Sequence, residues 1–198
     1  MDTPRRGLAT THRLRAPLFL LALAAALPAQ GKPAPAPELK QLEPLVGTFE
    51  GSGEMNEPNG ARTKWTATAS FQWTLGGHFL REEVVFRFEG MKSPFQVLGF
   101  LGWDRQNERF ACVSAGSDGA LELQHLTLGG KGKVLVLAAK QQGPMRYLQR
   151  TSFHVSGDTM THEVEMLLAD GPSSTIAKGT FTRAKVESAL DLAAGSFM

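Results

Sequence analysis

The feature that most constrains this chain is an alternation. Trp65, Ala67, Ala69, Phe71 and Trp73 recur at every second position, with Thr66, Thr68, Ser70, Gln72 and Thr74 between them. Period two places the two sets on opposite faces of an extended segment, so this stretch reads as a half-buried strand with its aromatic set inward. Turn chemistry then punctuates the chain at Glu57-Pro58-Asn59-Gly60, Gly76-Gly77, Gly90, Asp104 to Asn107, Gly116 to Gly119, Gly129 to Gly132, Gly143-Pro144, Gly157-Asp158 and Asp170-Gly171-Pro172. Roughly ten strands lie between these turns, near 45–54, 62–74, 78–89, 95–103, 108–114, 120–128, 133–140, 145–155, 159–168 and 174–183. No long helical pattern interrupts them, and the expected class is all-β. Short turns between sequential strands make a meander, and closure into an antiparallel up-and-down barrel removes exposed edges; a sandwich is the alternative. Only the tail from Ala184 to Leu192 has helical propensity, as a short terminal helix or frayed end.

The N-terminus has a different character. Arg5, Arg6, Arg13 and Arg15 precede an apolar run from Ala16 to Leu27, followed by Pro28, Ala29 and Gln30. A run of about a dozen residues is shorter than the roughly 20 that a membrane-spanning helix needs, and it matches the apolar region of a secretory signal. Residues 1–29 are therefore expected to be a signal peptide cleaved after Ala29, with an uncleaved anchor as the alternative. Residues 30–38 read as an extended Pro/Ala linker, because Lys32 to Glu38 alternates Pro with Ala, and the folded domain is expected from Leu39 to Met198. Periplasmic or secreted localisation follows, with no membrane association after cleavage.

The 21 basic and 19 acidic side chains give a formal charge of +2, which supplies no attraction for nucleic acid. Removing residues 1–29 takes away four Arg and one Asp and leaves the mature chain slightly acidic. Cys112 is the one cysteine, so an intrachain disulfide is ruled out and stability has to come from the core. Between Ala111 and Val113 it reads as a buried, inert thiol.

Leu45-Val46-Gly47-Thr48-Phe49-Glu50-Gly51-Ser52-Gly53 resembles the opening strand of the calycin barrels, with Phe49 where a G-x-W stretch has Trp. Together with Leu75-Gly76-Gly77-His78-Phe79-Leu80, Gly99-Phe100-Leu101-Gly102-Trp103-Asp104 and the closing Phe181-Thr182-Arg183, it is similar to the exported bacterial domain-of-unknown-function family 1579 over about Leu42 to Arg183. The resemblance implies a lipocalin-like barrel with no settled function and places Arg183 over Phe49 at the barrel floor. The chain departs from the family at Cys112, Val113 and Ser114, where an aromatic and an acid are usual.

Four histidines remain after the signal. A two-residue turn at Gly157-Asp158 sets Phe153 opposite His162 and His154 opposite Thr161, so His154 and His162 point to opposite faces and share no metal. His162 shares its face with Met160, Val164, Met166 and Leu168 and is placed inside the barrel, either as a ligand contact or as a hydrogen-bonded core residue. Haem is disfavoured: the nitrobindin barrels hold it through a histidine near the chain end, and Ser174 to Arg183 contains none. Glu163 and Glu165 alternate with the apolar face and look outward. On the third strand Arg81, Glu83 and Arg87 share one side, as headgroup contacts or surface ion pairs, while Glu82 falls on the apolar side with Leu80, Val84 and Phe86.

G-x-S-x-G, H-E-x-x-H, a phosphate-binding glycine loop and close metal-ligand spacings are all missing, and no cofactor is implied. The expectation is a barrel that binds a small, largely apolar molecule without catalysis, lined by Trp65, Phe71, Trp73, Trp103 and His162. Two alternatives stay open: an enzyme acting on a small hydrophobic substrate through His162, and a scaffold barrel with a filled core.

Overall fold

A computed structural model describes residues 33–130, 132–142, 145–168 and 173–185. The expected signal segment 1–29 lies outside them, as does the expected terminal helix apart from Ala184 and Lys185, which are non-helical. Ten antiparallel strands stand where the turn chemistry separates them: β1 (Gly47–Asn56), β2 (Arg62–Thr74), β3 (Phe79–Phe88), β4 (Phe95–Asp104), β5 (Arg109–Gly116), β6 (Leu121–Leu128), β7 (Lys133–Gln142), β8 (Met145–Ser156), β9 (Thr159–Leu167) and β10 (Ser174–Arg183). Each pairs with its sequence neighbours, and β1 pairs with β10, so the sheet is a closed up-and-down barrel and not a sandwich. The register sets Phe153 opposite His162 and His154 opposite Thr161, as the two-residue turn requires.

Packed chain begins before Leu39. Pro37–Leu45 forms a 3-10 segment, and Ala36 ahead of it is already buried. The Pro/Ala stretch therefore does not stay an extended spacer throughout: Pro37 supplies the fixed φ that suits the first turn, and Leu39, Leu42 and Leu45 at intervals of three face the barrel together. They close one end against Phe49, Phe71, Leu80 and Leu101, all fully buried. Phe49 and Phe71 meet edge to face at 6.3 Å. Arg183, the last residue of β10, lies with its guanidinium 4.4 Å from the Phe49 ring centre. It donates hydrogen bonds to the carbonyls of Val46 and, at 3.1 Å, Pro44, tying the final strand to the segment that plugs the floor.

Glycines set how closely the walls approach. Gly53 on β1 and Gly179 on β10 are paired across the sheet, and a Cβ on either would overlap the indole of Trp65. The two bare backbone positions let Trp65 lie flat across β1 and β10 toward β9. A bulge between Thr175 and Ala177 shifts the β9–β10 register and turns both Ile176 and Ala177 to the interior.

Candidate functional site

Between the plugged floor and the opposite end, where the 89–94 and 117–120 turns lie, the barrel encloses a cavity of about 350 Å³. That is within the range for a small-molecule site. The interior is thus not filled.

One wall is aromatic. Trp65, Phe86, Phe153 and Phe181 surround the imidazole of His162, with ring centres 5.1 to 6.2 Å from it; Phe153 stacks on the imidazole and Trp65 meets it edge-on. His162 is 6% exposed and its Nδ1 has no hydrogen-bond partner. Enclosure by hydrocarbon disfavours the charged ring and brings its pKa down to about 4, so His162 is neutral at physiological pH. Its Nδ1 thus lacks the hydrogen bond that buried polar atoms ordinarily make.

The opposite wall is polar. Glu82 on β3 pairs with Gly99 on β4, Gly99 with Ser114 on β5, and Ser114 with Glu122 on β6, so the four form one inward row across neighbouring strands. Gly99 leaves the space that the Glu82 carboxylate occupies: a Cβ there would come within 2.7 Å of Oε2. Glu82 is 8% exposed, and burial alone pushes its carboxyl up to about 7. In the next row Cys112 and Gln124 are paired. The Cys112 thiol is pushed up to about 12, first by burial and then by the carboxylates of Glu82 and Glu122, which makes it a poor nucleophile. Gln124 donates to Glu122 at 2.6 Å.

Of the residues expected to line the interior, Trp65 and His162 do so. Phe71 points inward but lies beneath the cavity, edge-on to Phe49 and Phe153. Trp73 and Trp103 do not line the cavity and are corrected to packing roles. Trp73 is drawn to the plugged end, where its Nε1 donates to Glu43 of the 3-10 segment at 3.0 Å. Trp103, near the end of β4, packs edge-on to Phe110 at 5.0 Å. Arg81 and Glu83 are half exposed and bound to each other, hence surface groups and not headgroup contacts. Glu163 and Glu165 do face away from the cavity: Glu163 accepts from Thr175, and Arg150 grips Glu165 with two bonds of 2.7 and 2.9 Å. Among the described residues no group of three His, Cys, Asp or Glu side chains is placed to hold a metal ion. Glu82 is the site residue that the pattern of the chain undervalued; its signal was its phase, in step with Leu80, Val84 and Phe86.

A closed antiparallel barrel with a plugged floor, an Arg stacked on the floor aromatic and an interior cavity defines the calycin-like class. Within it, the chain belongs to the family described as protein of unknown function DUF1579, whose model matches residues 34–183. Among solved structures, Rv2717c from M. tuberculosis is similar at 18% identity and a TM-score of 0.56, over 76% of this chain and 99% of that one. The S-type phycobiliprotein lyase CPES from Guillardia theta is similar at 9% identity and a TM-score of 0.52, over 74% of this chain and 92% of that one. At these identities the likeness is one of fold. No curated protein matches the chain.

Proposed function

We propose that this protein is exported, loses residues 1–29, and in the periplasm or outside the cell binds a small, largely apolar molecule inside its barrel without transforming it. The observation that carries the reading is the cavity of about 350 Å³ in which an aromatic wall surrounds a neutral histidine whose Nδ1 lacks a hydrogen-bond partner. The aromatic rings offer a flat ligand both stacking and edge contacts. The fold likeness to a phycobiliprotein lyase accords with a barrel that receives a small molecule.

The test is native mass spectrometry of the mature protein purified from its own export compartment, followed by denaturing extraction. A stoichiometric small molecule that leaves on denaturation is the expected result, together with an N-terminus at Gln30. A bare polypeptide that also fails to take up any aromatic probe would overturn the binding reading. Retention of residues 1–29 would overturn the cleavage.

A further inference from the structure

Glu82 stands out beyond the binding reading on which this inference rests. It is more than nine-tenths buried, it faces the cavity, and among the described residues no ion pair or hydrogen bond with another side chain accounts for its burial. The elements packed around it give it space and no counter-charge. Gly99, its partner on β4, has no side chain; Ser114 and Cys112 on β5 are small and uncharged; on its other flank, β2 presents Phe71 and Ala69. Among the described lining residues, Asp118 and Glu122 are also acidic and none is Lys or Arg. His162 across the cavity is neutral. A buried carboxyl without a partner, facing an aromatic wall, is the recognition chemistry of an organic cation: the carboxylate compensates the charge while ring faces attract it. A carboxylate-bearing ligand would meet the opposite field.

We propose that Glu82 is the polar anchor of the cavity and that the ligand is an aromatic or conjugated molecule carrying a protonated nitrogen, its ring system lying against Trp65, Phe86, Phe153 and His162. The ammonium or amidinium N–H donates to the Glu82 carboxylate in the space left by Gly99. The anchored cation makes Glu82 ionise, so that at pH 5.5 a proton leaves the protein as the ligand enters.

Three probes of one shape separate the alternatives: naphthylmethylamine, naphthylmethanol and naphthoate, titrated calorimetrically into the mature protein and into Glu82→Gln. In the native protein the amine should bind at least about tenfold tighter than the alcohol, with naphthoate weakest, and at pH 5.5 its heat should vary with the buffer's ionisation enthalpy as proton release requires. Glu82→Gln should lose the preference for the amine and keep its affinity for the alcohol, which also reports that the variant is folded. Gly99→Ala, which crowds the carboxylate, should weaken the amine more than the alcohol. An amine that binds no tighter than the alcohol, a preference for naphthoate, or a preference that survives Glu82→Gln would overturn the cation assignment and leave cavity binding standing. Failure of all three probes to bind would overturn both.

Discussion

Replacing Glu82 by Gln removes a buried ionisable group without changing its size, and the pH dependence of the effect follows from burial. In the native state the carboxyl titrates at about 7, against an ordinary value of 4.5. Below 4.5 it is protonated in both folded and unfolded chains and contributes nothing to the difference between them. As pH rises from 4.5 to 7 the unfolded chain gives up this proton while the native chain holds it, so stability falls. At about 1.4 kcal/mol per pH unit, the loss above pH 7 amounts to about 3 kcal/mol. Gln makes no such sacrifice. Urea unfolding followed by tryptophan fluorescence at pH 4.5 and 7.5 should therefore show Glu82→Gln gaining about 3 kcal/mol relative to the native protein across that interval. His162 obscures this in the native protein, because its influence has the opposite sign. With a folded value of about 4 against 6.5, it weakens the fold as pH falls through that window, when only the unfolded chain takes up the proton. Between 4.5 and 6.5 the two dependences offset and the native protein should look almost indifferent to pH. A difference between variant and native protein that stays constant with pH would refute the account.

The companion variant His162→Phe should expose the Glu82 dependence, losing about 3 kcal/mol as pH rises from 4.5 to 7.5, again read by urea unfolding. Cys112, with its thiol pushed up to about 12 inside the barrel, should resist Ellman's reagent at pH 8 in the native protein and react promptly in denaturant. Arg183→Ala removes the stacking on Phe49 and the bonds to the Pro44 and Val46 carbonyls; thermal unfolding should show a loss of about 2 kcal/mol.

The barrel was legible because each of its signals is local. Alternation in β2, glycine-rich or Pro/Asn turns, and the two-residue hairpin at Gly157-Asp158 specify strands and register within a few residues of sequence. The Gly-aromatic opening and the closing Phe181-Thr182-Arg183 located the family. The floor was less legible: Pro37–Leu45 is stabilised by contacts with strands far along the chain, and Pro-Ala composition alone favours an extended conformation. That plug also explains Trp73. The alternation placed it on the aromatic side of β2, but its depth along the barrel depends on where the plug sits, and at that depth it meets Glu43. Glu82 illustrates the same limit from the other side. Its phase was plain, yet its environment depends on Gly99 and Ser114, which become its neighbours only once β3, β4 and β5 are in register.

The pairing of the first strand with the last governs how the molecule is made. Arg183 reaches Pro44 across 139 positions of chain, so the ring stays open until almost the whole domain exists. Before then β1 and the growing end of the meander both expose unpaired backbone, the condition under which strands of different molecules join. Closing so long a loop is entropically costly and places this barrel among slow-folding topologies. A nascent chain or a truncated fragment is accordingly the species most exposed to aggregation, and loss of β10 should be far more damaging to solubility than to the local structure of the remaining hairpins.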